Sequence, residues 1–135
     1  MNQIRFFDNQ VIRNHFMSVA QSTACAATTA EPGYNGDDRG KWAAAAHDSL
    51  GNLSGFMYGA VSFWKARQRD TAGMLVVAGQ AEALRSRAEV LLRGHDASAD
   101  WRALQDEAAP LWQAWDEALG QCINPTPFAN KNNRA

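Results

Sequence analysis

The sequence predicts an all-α protein: a single-domain helical bundle of about four helices over residues 1–120, followed by a C-terminal tail, 121–135, extended or partly disordered. Three observations carry this. Alanine is abundant, 25 residues of 135, against 4 prolines, and alanine loses no side-chain entropy on entering a helix. Apolar residues recur in steps of three and four, the spacing of one helical face. Hydrophobic residues make up 46% of the chain and charged residues 20%, a balance that builds one core at the length of one ordinary domain.

The same composition excludes several classes. A disordered chain is poorer in apolar residues. A disulfide scaffold needs more than the two cysteines, Cys25 and Cys122. A strongly basic nucleic-acid binder does not carry 14 acids against 13 Lys and Arg. The excess of arginine over lysine, ten to three, reads mainly as a coding bias of a GC-rich genome. Small residues at Ala24, Cys25, Ala26 and Ala27 imitate a signal-peptide cleavage region, but Asp8, Asn9, Gln10, Arg13, Asn14 and His15 interrupt the apolar stretch such a peptide requires. The longest apolar segment, Leu53 to Trp64, falls short of the ~18 residues of a membrane span. The expectation is a soluble, cytoplasmic protein with reduced thiols.

Along the chain, residues 3–7 read equally as a short strand or as a first helical turn. Asp8 is an N-cap candidate for a helix over about 8–22, whose apolar residues are Val11, Ile12, Phe16, Val19 and Ala20. Residues 23–37 read as a long loop, with turn signals at Pro32-Gly33 and Asn35-Gly36 around Tyr34. A second helix is expected from Asp37 or Asp38 to about Arg67, with the stripe Trp42, Ala46, Leu50, Leu53, Met57, Ala60, Trp64. A third begins at Asp70 or Thr71, carries Met74, Val77, Ala81, Leu84, Ala88 and Leu91, and ends at a Gly94 C-cap. After His95-Asp96-Ala97, Ser98 caps a fourth helix bearing Trp101, Leu104, Ala108, Leu111, Trp115 and Ala118, which Gly120 ends. Pro110 should kink it from the solvent side. Helices three and four form an antiparallel hairpin. Ile123 and Phe128 of the tail are expected to dock on the bundle.

Gly51, Gly55 and Gly59 make a Gly-x-x-x-Gly-x-x-x-Gly ridge opposite the apolar stripe of the second helix. Each glycine costs about 0.5–1 kcal/mol relative to alanine. The expected offset is a closely approaching neighbour, most simply the first helix; the functional alternative is a dimer seam or docking groove. On the fourth helix, Trp101, Leu111, Trp112, Trp115 and Leu119 share an apolar face, read as core, although tryptophan also marks binding hot spots.

Charge is uneven. Residues 98–119 carry Asp100, Asp106, Glu107, Asp116 and Glu117 against Arg102, and residues 65–93 carry an excess of three positive charges. Pairs Arg102–Asp106, Arg85–Glu89 and Glu89–Arg93 have i, i+4 spacing, which suits a self-compensating surface. The functional reading of Asp106, Glu107, Asp116 and Glu117 is an acidic face that steers a basic partner. The run Lys65-Ala-Arg67-Gln-Arg69 at a helix end suits the helix dipole and is too small a field for nucleic acid.

No motif supports catalysis or a cofactor. His15, His47 and His95 lack ligand spacing, no Glu-x-x-His pair, metalloprotease motif or phosphate loop occurs, and Cys25 is more simply a buried thiol than a nucleophile. The expectation is therefore a non-enzymatic module without metal or cofactor. It binds a larger protein as an inhibitor, immunity protein or adaptor, a class that takes in small helical inhibitors of phage and mobile elements, anti-CRISPR proteins among them. The alternative is a self-assembling structural protein, a homo-dimer or larger oligomer, joined through the glycine ridge.

Overall fold

The computed structural model describes residues 2–36, 39–93 and 98–125, without the side chains of 2–9 and 39. It is all-α: α1 (Asn2–Thr29), α2 (Arg39–Lys65), α3 (Ala72–Leu92), α4 (Ser98–Ala108) and α5 (Leu111–Ile123). The last two are one bent helix. Pro110 has no amide hydrogen to continue the helical ladder, and the chain turns at Ala109-Pro110. This is the expected bundle of four, its fourth member broken where proline predicts. The unit is cyclic. α2 lies between α1 and α3, α4–α5 closes the ring against α1 and α3, and α2 stands diagonally across from the bent helix. Neighbours run antiparallel, as cross-contacts show: the His15 ring meets Phe56 at a tilt, Tyr58 bonds Glu82, and Arg102 bonds Glu31.

The expected stripes form the core. Ile12, Phe16 and Val19 of α1, Ala46, Leu50, Leu53, Met57 and Trp64 of α2, and Met74, Val77, Ala81, Leu84 and Ala88 of α3 are buried. So are Trp101, Leu104, Ala108, Leu111, Trp115, Leu119 and Cys122 of the bent helix, all in one cluster. Trp42 and Leu91 are half-buried at the rim, and Ala20 is exposed.

Several boundaries differ from expectation. Residues 3–7 are helical, and Asp8 lies inside α1 rather than capping it. The loop expected over 23–37 does not begin until after Thr29. The hydroxyls of Ser22, Thr23, Thr28 and Thr29 donate to carbonyls three or four residues back, and Ala26, Ala27 and Ala30 are buried. Small side chains that read as loop instead allow close helix contact. Asp37, Asp38, Gly94 and His95 lie outside the described residues. α2 ends at Lys65, because Gln68 takes a left-handed φ of 62° and the Arg69 amide closes on the Trp64 carbonyl at 3.1 Å. The bent helix continues past Gly120. The Arg69 guanidinium donates to the Ile123 carbonyl at 3.1 Å, satisfying one of the acceptors that a helix end leaves open. Residues 121–123 are thus its last turn and not tail; Ile123 is half-buried against the core, and Phe128 lies outside the described residues.

Candidate interaction surfaces

The break at Pro110 gives the bent helix a distinctive outer surface. Where α4 turns into α5, a groove of about 590 Å³ opens against α3. Leu84, Leu111, Ala83, Ala114 and Pro110 supply its apolar lining; Gln80, Arg87, Asp106 and Glu107 supply its polar edge. The small side chains at Ala83 and Ala114 leave the space between the two walls unfilled. Of these residues, Leu84 and Leu111 were read from the sequence as core, Pro110 as a kink and Asp106 and Glu107 as an acidic face, but not as parts of one groove. The α3 wall was missed because Gln80, Ala83 and Arg87 fall outside the apolar stripe that holds Leu84, and only the partner helix makes them a wall. The readable signal was Pro110 itself, which forces a bend beside whatever helix lies alongside.

The four acids marked in the sequence, Asp106, Glu107, Asp116 and Glu117, are all exposed, and the structure separates their roles. Glu107 is neutralised across the groove by Arg87 at 2.7 Å. That guanidinium holds the Glu107 carboxyl below its ordinary pKa, with desolvation opposing the shift. Arg102 does not pair with Asp106 as spacing suggested. It reaches α1 and meets Glu31 at 2.7 Å, because α1 packs beside α4. Of the other expected pairs Glu89–Arg93 forms, at 3.4 Å, and Arg85 instead lies over Gly51. Asp100, Asp106, Asp116 and Glu117 consequently have no cationic partner among the described residues.

The glycine ridge is not where the sequence argument put it. Gly55 and Gly59 are exposed, and an added Cβ at either would meet nothing within 4 Å. Gly51 is half-buried, with the Arg85 side chain 3.4 Å from where its Cβ would stand. No helix of the bundle nestles against the ridge. α1 and α3 grip α2 through its flanks, by Phe56 and Tyr58, and leave the glycine line facing outward between them. The helical angle was right, but the α1–α2 and α2–α3 interfaces proved closer together than opposite.

The basic run is spent largely on the fold. Arg67 lies 3.5 Å over the Phe63 ring and donates to the Phe63 carbonyl, and Arg69 closes α5. On the fourth helix Trp101 and Trp115 are core, while half-buried Trp112 meets Phe16 edge-on under the Arg13 guanidinium, 5.4 Å from its ring. Two buried indole N–H groups, of Trp64 and Trp115, have no acceptor among the described residues.

Chemistry-bearing side chains stay scattered. No group of three His, Cys, Asp or Glu among the described residues is arranged to hold a metal ion. His15 is pushed below its ordinary pKa by burial. Cys122 is buried, and burial raises its thiol pKa, which disfavours the reactive thiolate. No helix among the described residues is long and apolar enough to cross a membrane.

Fold and surface together define a four-helix bundle, its last helix broken, that offers an acid-edged groove and an open glycine face. No protein-family model, curated protein or solved structure matches the chain.

Proposed function

We propose that this protein is a non-enzymatic interaction module that binds a larger protein partner, as an inhibitor, immunity protein or adaptor, through the outer face of α4–α5. The observation that carries this reading is the set of carboxylates without partners, Asp106, Asp116 and Glu117, on the helix whose bend opens an apolar groove. Unpaired charges of one sign beside apolar surface suit a partner of opposite sign, steering its approach and fixing its register. The protein then acts by occupying a surface of its partner.

The test is capture of the partner from the native host on immobilised protein, followed by reconstitution from purified components. Charge reversal at Asp106 and Glu117 should weaken the reconstituted complex at least tenfold and make it less sensitive to salt. Undiminished binding by the doubly reversed protein would refute the assignment.

The open space over Gly55 and Gly59 favours one second reading, self-assembly through α2. A helix of another copy can approach a backbone without Cβ atoms closely. Under that reading light scattering gives a dimer or larger assembly, and Gly55→Leu converts it to monomer without loss of fold.

A further inference from the structure

We infer that the groove between α3 and the α4–α5 bend is a receptor for an arginine side chain flanked by aliphatic residues on the partner protein. This rests on the proposed function and specifies its site and the partner's chemistry.

The argument starts from the end of α4. A helix C-terminus carries partial negative charge and is stabilised by cations in its last turn. α4 has no basic residue there and places Asp106 and Glu107 there instead. Arg87 answers Glu107 from α3 at 2.7 Å. No cation among the described residues answers Asp106. The backbone adds to this imbalance. The Asp106 main-chain carbonyl would accept from the amide four residues on, but that residue is Pro110, which has none. The Ala109 amide is committed to Gln105 at 3.1 Å. The end of α4 therefore carries an uncompensated carboxylate at the edge of the groove beside a main-chain carbonyl that the Pro110 ring leaves without its helical donor.

A cation that donates several hydrogen bonds suits an unpaired carboxylate at the negative end of a helix dipole. Guanidinium does so better than ammonium, because its planar fork bonds both oxygens of a carboxylate and it is less strongly hydrated. The groove's floor sets the remaining chemistry. Leu84, Leu111, Ala83 and Ala114 offer apolar surface, which aliphatic side chains on either side of the arginine would cover, and its volume suits a few side chains. An acidic segment would meet the unpaired Asp106 and is disfavoured by repulsion, while Arg87 is already held by Glu107.

The experiment titrates the isotope-labelled full chain with a 14-residue alanine–leucine helix carrying one central arginine, and with the same peptide carrying citrulline, its neutral isostere. The expected result is amide shifts at 80–87 and 106–114, with the citrulline peptide at least tenfold weaker. Asp106→Asn should weaken the arginine peptide by a similar factor and Glu117→Gln should not. Ala83→Trp, at an exposed position, should fill the groove and abolish binding with the circular dichroism unchanged. Without peptide, Asp106→Asn should raise the melting temperature by relieving the helix end. Equal affinity for the two peptides, shifts on α2 instead, full binding by Ala83→Trp, or no binding at millimolar peptide would each overturn the inference. If the host partner still depends on Asp106 and Glu117 while the arginine peptide fails, the proposed function stands and the arginine site falls. If charge reversal leaves the partner complex intact, the functional reading itself fails.

Discussion

Replacing Gly55 and Gly59 by alanine should stabilise the protein. Both positions are interior to α2, exposed, and free of any atom within 4 Å of an added methyl group. Nothing in the fold therefore offsets the backbone entropy that glycine loses on becoming helical. Alanine recovers about 0.5–1 kcal/mol at each site, so the double variant should gain roughly 1–2 kcal/mol. For a domain of this size that raises the melting temperature by about 3–8 °C. Gly51→Ala is the internal control. Its new Cβ would stand 3.4 Å from Arg85 Nε, at the near edge of ordinary contact, so the arginine side chain loses freedom and the gain should be smaller. Urea unfolding at 25 °C, followed by circular dichroism at two protein concentrations a hundredfold apart, measures all three. The reasoning requires a higher midpoint, an unchanged slope and no dependence on concentration. A double variant less stable than the parent would refute it, because some surface must then cover the ridge. If that loss appears only at high concentration, the cover is a second copy of the chain.

Three further outcomes are expected. Gln68 holds a φ of 62°, where glycine is unstrained, so Gln68→Gly should stabilise by about 0.5–1 kcal/mol and Gln68→Val should destabilise; a loss with glycine would show that the glutamine side chain matters more than the backbone. Trp115 is fully buried with an indole N–H that has no acceptor among the described residues. Trp115→Phe should therefore cost far less than the about 3–5 kcal/mol typical of Trp115→Ala, since it removes an unsatisfied donor along with some packing; equal losses in denaturant unfolding would contradict this. Glu107 is the pH-dependent case. Arg87 lowers its folded-state pKa below the unfolded value, so its contribution is present above the unfolded pKa and is lost as the pH falls through the folded one. Arg87→Gln should move the Glu107 carboxyl resonance titration upward, and an unmoved titration would show that the 2.7 Å pair does not persist in solution.

Much of the architecture was legible from periodicity alone. The stripes from Leu50 to Trp64 and from Met74 to Ala88 face the core as their spacing requires, because a helical face is set by steps of three and four whatever lies against it. The kink at Pro110 was equally local, since a missing amide hydrogen breaks the ladder in any context. Helix ends were less legible. Ser22, Thr23, Thr28 and Thr29 have poor intrinsic preference for a helix interior, and they are helical because their hydroxyls bond within α1 and the neighbouring alanines are buried. Gly120 did not end α5, because Arg69 bonds the carbonyl of Ile123, 54 residues further along the sequence, and holds the next turn.

The sequence by itself determined which side chains turn inward and where the last helix breaks, because both depend on residues within a turn or two of each other. Only the tertiary structure decided what lies outside those inward faces. The angle between the neighbours of α2 leaves Gly55 and Gly59 open, the nearness of α1 to α4 sends Arg102 to Glu31 and leaves Asp106 alone, and the placing of α3 beside the Pro110 bend turns Ala83 and Arg87 into the wall of a groove. Each outcome depends on distances between helices, which are fixed by the summed packing of the whole core and are written in no single stretch of the chain.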